Sequence, residues 1–440
     1  MSVLTSMADA APKTYRAETI TMAPVVFAGS IGTVIEWYDF LIYGTAAALA
    51  FNTLFFPNVD PLTGTLASLG TYAVGFFARP IGGVLFGHFG DRIGRKAMLL
   101  ITMLVMALGT FAVGLLPTYQ QIGIWAPILL VTLRIIQGIG LGGEWGGASL
   151  MVIEHAPAGR RGFYGSLVQV GFPLGLVTSS GVFTLATMLP ESSFMAWGWR
   201  VPFLLSVVLL GVGWFVRTRV PETPVFADIR RRGELANNPF FEAILQNPRS
   251  FLAAVGLKIS EVSWVYILTI FAVVYGTTKL GLSKQLLLNA IVVASLIEVI
   301  TIPLFGWLSD IYGRRPLYFV GTLFTVVFAF PLFWLIDTKD PAIIVLTVVA
   351  ALSFGHGTMF GLQSAYFPEL FGTRMRYTGA SLGFQLSAAI GGGLTPLIAA
   401  SLAGYMGGTA GVSLMLIMLA AVTFVATLWA PETKDQPLRR

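Results

Sequence analysis

Ionisable side chains interrupt several long apolar stretches of this chain, and they are the residues best placed to do chemistry. Placing such a group in hydrocarbon costs roughly 2.5–3.5 kcal/mol, so it tends to face the protein interior or a water-filled cavity. Carboxylates there can exchange protons, and buried cations can hold an anion. The residues are Glu36, Asp39, Arg79, Arg134, Glu144, Lys258, Glu261 and Glu298.

Asp39 and Arg134 have the residue types of a proton switch, which are an acid on one predicted helix and an arginine on another. Glu36, Asp39 and Tyr43 lie at i, i+3 and i+7, so they share one face of a helix. An ionised Asp39 could pair with Arg134, and protonation would break the pair and free the helices to rearrange. The alternative is a permanent structural salt bridge. We favour proton coupling through Asp39, Glu36, Arg134 and Glu261.

The other intramembrane charges leave alternatives open. Lys258 and Glu261 are three residues apart and could neutralise one another, or Lys258 could meet an anionic substrate. Arg79 could bind substrate or extend to the membrane interface. Glu298 has no partner nearby in the sequence and receives no role. The candidate substrate-binding residues are Arg79, Arg134, Lys258, Tyr43, Gln137, Gln169, Trp264 and Gln385.

The composition indicates the kind of helix that must position these groups. Of 440 residues, 55% are hydrophobic and only 11% are charged, and the mean hydropathy is +0.79. A soluble domain has about a quarter of its residues charged, so this chain predicts a protein that crosses the bilayer many times. The net charge of +6 does not indicate nucleic acid. With no cysteine there is no disulfide or thiolate chemistry.

Apolar runs long enough to cross the bilayer predict twelve membrane helices and exclude a barrel. We expect an N-terminal six-helix bundle over 1–218, a cytoplasmic linker over 219–250 and a C-terminal bundle over 251–440. The first 22 residues lack a signal-peptide pattern, so we expect the first span itself to direct insertion. The predicted spans are 24–50, 66–89, 96–116, 124–153, 162–189, 199–218, 251–276, 286–310, 315–336, 341–366, 378–404 and 408–430.

Charge placement predicts the orientation. Most of the 27 Lys and Arg residues fall on one side of the predicted helices. Cations accumulate on the cytoplasmic side, so both termini and the linker are expected there. The cations predicted on the opposite side are Arg200, Lys279, Lys284 and Lys339.

An internal repeat supports two related halves. Residues 87–96 (GHFGDRIGRK) return as 306–315 (GWLSDIYGRR), and a Pro-Glu-Thr sequence closes each half at 221–223 and 431–433. The acids of the two loops could cap a neighbouring helix, so each loop would act as a latch that forms in one state and breaks in another. The predicted cytoplasmic gate comprises Gly87, Asp91, Arg92, Arg95, Lys96, Asp310, Arg314 and Arg315.

A dinucleotide fingerprint occurs formally at 138–143 (GIGLGG), but it lies inside an apolar span without the strand and turn that the fingerprint needs. The small residues there are better suited to close helix packing. No protease, phosphate-loop or nucleophile-elbow motif occurs in a suitable setting. We therefore expect no enzyme activity, no metal and no cofactor, with the proton as the coupling ion.

The chain resembles the major facilitator superfamily over nearly its whole length. The loops at 87–96 and 306–315 match its loop signature, and 134–140 (RIIQGIG) is similar to its fourth-helix signature. The segments that resemble the metabolite:H+ symporters more narrowly are 36–40 (EWYDF), 79–83 (RPIGG), 142–147 (GGEWGG), 197–203 (WGWRVPF) and 369–371 (ELF) with Arg374 and Arg376.

The resemblance implies an all-α membrane protein of two pseudo-symmetric six-helix bundles in a bacterial inner membrane. It implies import of shikimate, 2-oxoglutarate, citrate or other carboxylates, or of proline and betaine, and it places Asp39 and Arg134 at the family's functional positions. The short tail differs from the long coiled-coil tail of the osmosensing members. We expect a proton-coupled organic-acid symporter that functions as a monomer. The rivals are a zwitterion symporter and a drug–proton antiporter, for which 171–175 (GFPLG) is an incomplete signature.

Overall fold

The computed structural model describes residues 21–59, 61–233 and 239–438, and every regular element in those ranges is helical. Residues 1–20 and residues 234–238 of the predicted linker lie outside them. The twelve long helices, in chain order, are α1 (Met22–Ala46, continued by Ala47–Phe51 and Asn52–Phe55), α2 (Pro61–Gly90), α3 (Arg95–Leu115), α4 (Trp125–His155), α5 (Arg161–Thr187), α6 (Gly198–Thr218), α7 (Pro248–Thr278), α8 (Lys284–Tyr312), α9 (Arg314–Asp337), α10 (Pro341–Glu369), α11 (Arg376–Met406) and α12 (Ala410–Trp429).

Eleven of these helices are long and apolar enough to cross a membrane. The remaining one, α2, has 30 residues and is therefore about 45 Å long. All twelve predicted spans coincide with a helix, so the predicted all-α class is confirmed. Several helices are longer than predicted, because a helix continues past the hydrocarbon until a breaking residue ends it.

Local sequence explains where helices begin. Pro248 and Pro341 stand at the first position of α7 and α10, where the missing N–H is not needed. Asp340 caps α10 by accepting from the N–H groups of Ala342 and Ile343 at 2.8 and 3.0 Å. Before α3 and α9 the chain turns at Gly94 and Gly313, whose φ values of 133° and 107° favour glycine.

Helices α1 to α6 pack mainly on one another, as do α7 to α12. Between the two groups, α2 packs on α11, and α5 packs on α8 and α10. These contacts have the pseudo-symmetric arrangement that the repeat predicts. The residue boundaries proposed for the two bundles and the linker stay a prediction. Within 219–250 the described residues form a short helix, Pro224–Arg232, and a turn at Glu242–Gln246.

Candidate transport site and cytoplasmic gate

A small cavity lies between the two bundles near the middle of the long helices. Charged groups from both halves line it, namely Arg79 from α2 and Lys258, Glu261 and His356 from α7 and α10. Its volume is about 10 Å³, which is room for about one water molecule. The rest of its wall is mostly aromatic or apolar: Trp37, Phe172, Val262, Val265, Tyr266, Phe360, Phe384 and Ala388.

Two arginines of the N-terminal bundle stack on aromatic rings beside this cavity. The Arg79 guanidinium lies 4.2 Å from the centroid of Phe40 and 4.7 Å from that of Phe76. Arg134 lies 4.6 Å from Phe40 and 4.3 Å from Tyr43. Each is only 1% exposed. Arg79 therefore does not extend to the membrane interface, which was one of the two alternatives.

Both arginines keep unused hydrogen-bond donors. The Nε and Nη2 atoms of Arg79 and of Arg134 are buried and have no hydrogen-bond partner among the described residues. An unpaired buried charged donor is costly, because it has lost its water without gaining a replacement. The two side chains thus have hydrogen-bond donors that no described residue uses.

The predicted switch pair is close but not bonded. Asp39 is buried beside Arg134 and Thr110, but no ion pair within 4 Å joins Asp39 to Arg134 in the described structure. Glu36, also buried, faces Arg79 and Lys258. The role of Asp39, Glu36, Arg134 and Glu261 in proton coupling stays a prediction.

Four charged or titratable groups form a connected cluster in the C-terminal bundle. Lys258 Nζ lies 2.5 Å from Glu261 Oε2 and donates to Gln363 Oε1 at 2.9 Å. His356 joins the two acids, with Nε2 3.0 Å from Glu261 Oε1 and Nδ1 2.6 Å from Glu298 Oε1. Lys258 and Glu261 therefore do neutralise one another, and they do so at the cavity wall. Sequence spacing could not show the partner of Glu298, because His356 is 58 residues away.

The remaining predicted substrate-binding residues lie outside the wall of the closed cavity. The Tyr43 hydroxyl donates to Thr71 at 2.7 Å, and Trp264 donates to the Ala351 carbonyl oxygen at 2.8 Å. The three glutamines donate to Thr110 (Gln137), the Phe360 carbonyl oxygen (Gln169) and the Leu141 carbonyl oxygen (Gln385). Their contact with substrate stays a prediction for another conformation.

Glu144 is paired with a residue that sequence reasoning did not single out. Its carboxylate accepts from the Arg217 guanidinium of α6 and from Thr102 Oγ1 of α3. Arg217 also donates to the Leu99 carbonyl oxygen at 2.8 Å. The pair is fully buried and joins α3, α4 and α6. Because its groups are satisfied within the bundle, we assign it to structure.

On the side predicted to be cytoplasmic, the first repeated loop contacts the opposite bundle. Asp91 accepts from the N–H groups of Tyr377 and Thr378 at 3.3 and 3.0 Å, and from Thr378 Oγ1 at 2.9 Å. It thereby caps the N-terminus of α11 and lies 3.3 Å from Arg95. Burial raises the pKa of Asp91 to about 6, although Arg95 and the donors of α11 act in the opposite direction.

The second loop repeats the arrangement with the halves exchanged. Asp310 accepts from the N–H groups of Gly162 and Phe163, both at 2.8 Å, and so caps α5. Arg314 holds Asp310 at 2.8 Å and Glu369 at 3.2 Å. The capping role predicted for the two acids matches this geometry, and in each case the capped helix belongs to the other bundle.

Four glutamates complete these networks. Glu154 pairs with Arg376 at 3.0 Å, while Glu222 and Glu432, of the two Pro-Glu-Thr sequences, accept from backbone N–H groups at the start of α3 and α9. The fourth, Glu369, accepts from Thr433 at 2.5 Å. The sequence shows the repeated Pro-Glu-Thr at 221–223 and 431–433, but it does not show that the two glutamates cap the N-termini of α3 and α9.

The other predicted gate residues serve two different purposes. Gly87 is a point of close approach, since a Cβ there would lie 2.7 Å from Thr378 Cα. Three gate cations bond within their own half: Arg92 lies 3.2 Å from His88, Lys96 donates to the Thr218 carbonyl oxygen, and Arg315 donates to the Thr427 carbonyl oxygen. Within the described part of the chain, Arg95 and Arg314 are the gate cations that take part in the cross-bundle networks.

The opposite end of the cavity is also closed. Phe76 of α2 and Tyr266 of α7 meet edge to face with ring centroids 5.4 Å apart, and both pack against Gly392 of α11. Among the described residues, the hydrogen-bonded loops on the side predicted to be cytoplasmic and the aromatic contact on the other side enclose the cavity between the bundles. The structure is therefore an occluded conformation, in which a ligand larger than water requires the helices to move.

Comparison with known proteins identifies the family. A family model described as Major Facilitator Superfamily matches residues 29–396. The chain belongs to that superfamily. The shikimate transporter of Escherichia coli (strain K12) is 45% identical over 381 residues, which are 86% of this chain and 87% of that one. The proline/betaine transporter of the same strain is 35% identical over 427 residues, covering 94% and 84%.

Solved structures of the superfamily have the same fold. The proton:xylose symporter XylE, bound to 6-bromo-6-deoxy-D-glucose, superposes with a TM-score of 0.75 over 95% of this chain and 97% of that one, at 20% identity. The predicted major facilitator fold and the resemblance to the metabolite:H+ symporters are thus confirmed. This member of the superfamily is a membrane transporter of small molecules and not an enzyme.

Proposed function

We propose that the protein is a proton-coupled symporter that imports a small organic acid, either shikimate-like or a di- or tricarboxylate, by alternating access. It acts as a monomer in a bacterial inner membrane with both termini in the cytoplasm, and the proton is its coupling ion. The orientation follows from the placement of lysine and arginine. The membrane assignment is supported by a relative, 39% identical over 94% of this chain, that is described as an inner membrane metabolite transport protein.

The observation that carries the substrate class is the pair of buried arginines with unused donors. Arg79 and Arg134 together present four guanidinium nitrogens without partners among the described residues. A guanidinium binds a carboxylate through two parallel N–H···O bonds, so an organic anion would satisfy them. Lys258 adds a third cation at the cavity wall. The 45% identity to a shikimate transporter supports the same class.

A zwitterionic substrate such as proline or betaine is the second candidate, supported by the 35% identity to a proline/betaine transporter. A quaternary ammonium would need a free aromatic face. In the occluded site, protein cations already lie over several rings: Arg79 and Arg134 over Phe40, and Lys258 3.9 Å from the centroid of Phe384. This occupancy favours the anion.

Uptake into proteoliposomes tests the proposal. Purified protein should accumulate radiolabelled shikimate when the outside is made acidic, and a protonophore should abolish accumulation. Unlabelled shikimate, 2-oxoglutarate, citrate, proline and glycine betaine are then compared as competitors. Competition by carboxylates alone supports the proposal. Accumulation of labelled betaine or proline with no carboxylate competition contradicts it in favour of the second candidate.

A single substitution tests the coupling. We expect Asp39→Asn to abolish acid-driven accumulation while leaving exchange of labelled for unlabelled substrate partly intact, because the neutral side chain can no longer change its charge beside Arg134. The matched control is Asp435→Asn, at a carboxylate that is 85% exposed in the tail. Full accumulation by the Asp39 variant would refute the assignment.

A further inference from the structure

The cluster in the C-terminal bundle contains two residues to which neither the repeat nor the family motifs give a role, Glu298 and His356. Both side chains are at most 2% exposed. We propose that Glu298, His356 and Glu261 form a proton-binding site that is loaded when the substrate anion takes Lys258 as its partner. The inference rests on the proposed function and deepens it.

The first step of the argument is the charge of the cluster. With Lys258 protonated and both carboxylates ionised, the four groups are neutral only if His356 also carries a proton. The contacts match that state, because the two nitrogens of His356 face Glu261 Oε1 at 3.0 Å and Glu298 Oε1 at 2.6 Å. An uncompensated charge at this depth is strongly disfavoured. The cluster therefore resists any change that leaves it charged.

Binding of an anion makes such a change. Lys258 is the member of the cluster whose ammonium lies against the rings of the cavity wall, 3.9 Å from the Phe384 centroid and 4.9 Å from that of Phe360. When a substrate carboxylate pairs with Lys258, Glu261 loses its 2.5 Å partner. The imidazolium then faces two carboxylates, and the set carries one negative charge. Uptake of one proton restores neutrality, which couples one anionic charge to one proton.

The geometry indicates where that proton goes. After Lys258 leaves, Glu261 keeps two partners, His356 and the amide of Gln363 at 2.8 Å. Glu298 has His356 alone, and its Oε2 is buried without a hydrogen-bond partner among the described residues. The carboxylate with fewer donors is the less stabilised as an anion, so Glu298 is the acceptor. His356 lies between it and the cavity.

Other charged or titratable groups face the cluster, and none of them replaces the missing cation. From the N-terminal bundle, Arg79 of α2 and Glu36 of α1 approach Lys258 with opposite charges that offset one another. From α9, the phenol of Tyr318 faces Glu261. From α5, the neighbour of His356 is the uncharged ring of Phe172, with centroids 5.2 Å apart.

The test counts protons. Shikimate is added to purified full-length protein in weakly buffered detergent solution with a pH-indicator dye, and binding is measured in parallel by calorimetry. We expect the wild type to take up about one proton per shikimate bound, and its infrared spectrum to gain a protonated carboxyl band on binding. Glu298→Gln should bind and take up a proton without gaining that band, because in the variant the proton goes to His356. Glu298→Asp should restore the band at a shifted position, and Glu191→Gln, the same change at an exposed residue, is the control. Binding of shikimate without proton uptake, or the same carboxyl band in the wild type and Glu298→Gln, would overturn the proposal.

A second measurement separates this inference from the proposed function. Lys258→Gln removes the ammonium that the substrate would take, so the cluster carries the extra negative charge without any substrate, and infrared difference spectra between acid and alkaline pH then report its protonated carboxyl group. A carboxyl band of Lys258→Gln that disappears when Glu298→Gln is added supports the site even if shikimate does not bind, in which case only the proposed substrate is wrong. An unchanged spectrum refutes the site even if shikimate is transported. If Glu298→Gln does not fold, Glu298→Asp serves for both measurements, with a shift in the position of the band as the expected result.

Discussion

The cytoplasmic gate should close more tightly in acid, and Asp91 should be responsible for part of the effect. In the closed structure Asp91 is 2% exposed and its pKa is raised to about 6 by burial. When the bundles separate on this side, Asp91 leaves α11 and meets water, where the usual pKa is 3.8. The closed state thus binds the proton more strongly than the open state.

Thermodynamic linkage gives the direction in which pH shifts the equilibrium between the closed and open gate. A carboxyl whose pKa is higher in the closed state favours closure as the pH falls through about 6, and this contribution is lost as the pH rises again. The ion pair with Arg95 would suggest the reverse, but here the cost of burying the charge is the larger effect. Between about pH 7 and about pH 5 the closed-to-open ratio should rise about tenfold, which is about 1.3 kcal/mol.

The absence of cysteine makes the assay direct, because one introduced thiol is the only labelling site. Ser149 of α4 is buried against Ser364 of α10, with their hydroxyl oxygens 3.3 Å apart. In Ser149→Cys the thiol should react with a polar maleimide only when the cytoplasmic side opens. The labelling rate is measured at several pH values, with and without Asp91→Asn.

Comparing Ser149→Cys with and without Asp91→Asn isolates the contribution of Asp91 to the pH dependence of labelling. The intrinsic pH dependence of the thiol, and any response of other titratable groups, are common to both and cancel in the ratio of rates. We expect labelling of the Asp91 form to slow in acid about tenfold more than labelling of the Asp91→Asn form. An identical pH response in the two proteins would refute the reasoning that burial dominates at Asp91.

Three further substitutions test the site and the packing. Arg134→Gln should weaken shikimate binding roughly 10- to 100-fold in calorimetry, since a hydrogen bond to a charged group contributes about 1.5–3 kcal/mol; unchanged affinity would contradict its role. Gly82→Ala should lower stability by roughly 1–3 kcal/mol in thermal unfolding, because its Cβ would overlap a backbone carbonyl oxygen of α4, whereas Gly404→Ala, with open space, should not. Glu144→Gln should cost roughly 3–5 kcal/mol by leaving Arg217 buried without its carboxylate; wild-type stability would show that the pair is dispensable.

Much of the fold could be predicted because hydrocarbon permits few solutions. A span has to satisfy its own backbone hydrogen bonds, so twelve apolar runs predict twelve helices. The repeated loops predict paired halves, and an acid beside a helix end predicts a cap. What the repeat could not show is which helix Asp91 and Asp310 cap. That depends on how the two bundles pack against each other, because Asp91 bonds to Tyr377, 286 residues away, and Asp310 bonds to Gly162, 148 residues away.

The site was predicted less completely, because a residue type indicates which interactions a side chain can make but not which side chains lie beside it in the fold. Asp39 and Arg134 have the types of an ion pair, but the arginine stacks on Phe40 and Tyr43 and leaves the acid without that bond. Glu298 had no partner within a helical turn, and His356 was an isolated histidine in an apolar span. Only the packing of α7, α8 and α10 brings them together. Two carboxylates and one lysine at this depth need a further positive charge. The contact between Glu298 and His356 therefore supports the proton-binding site that we propose.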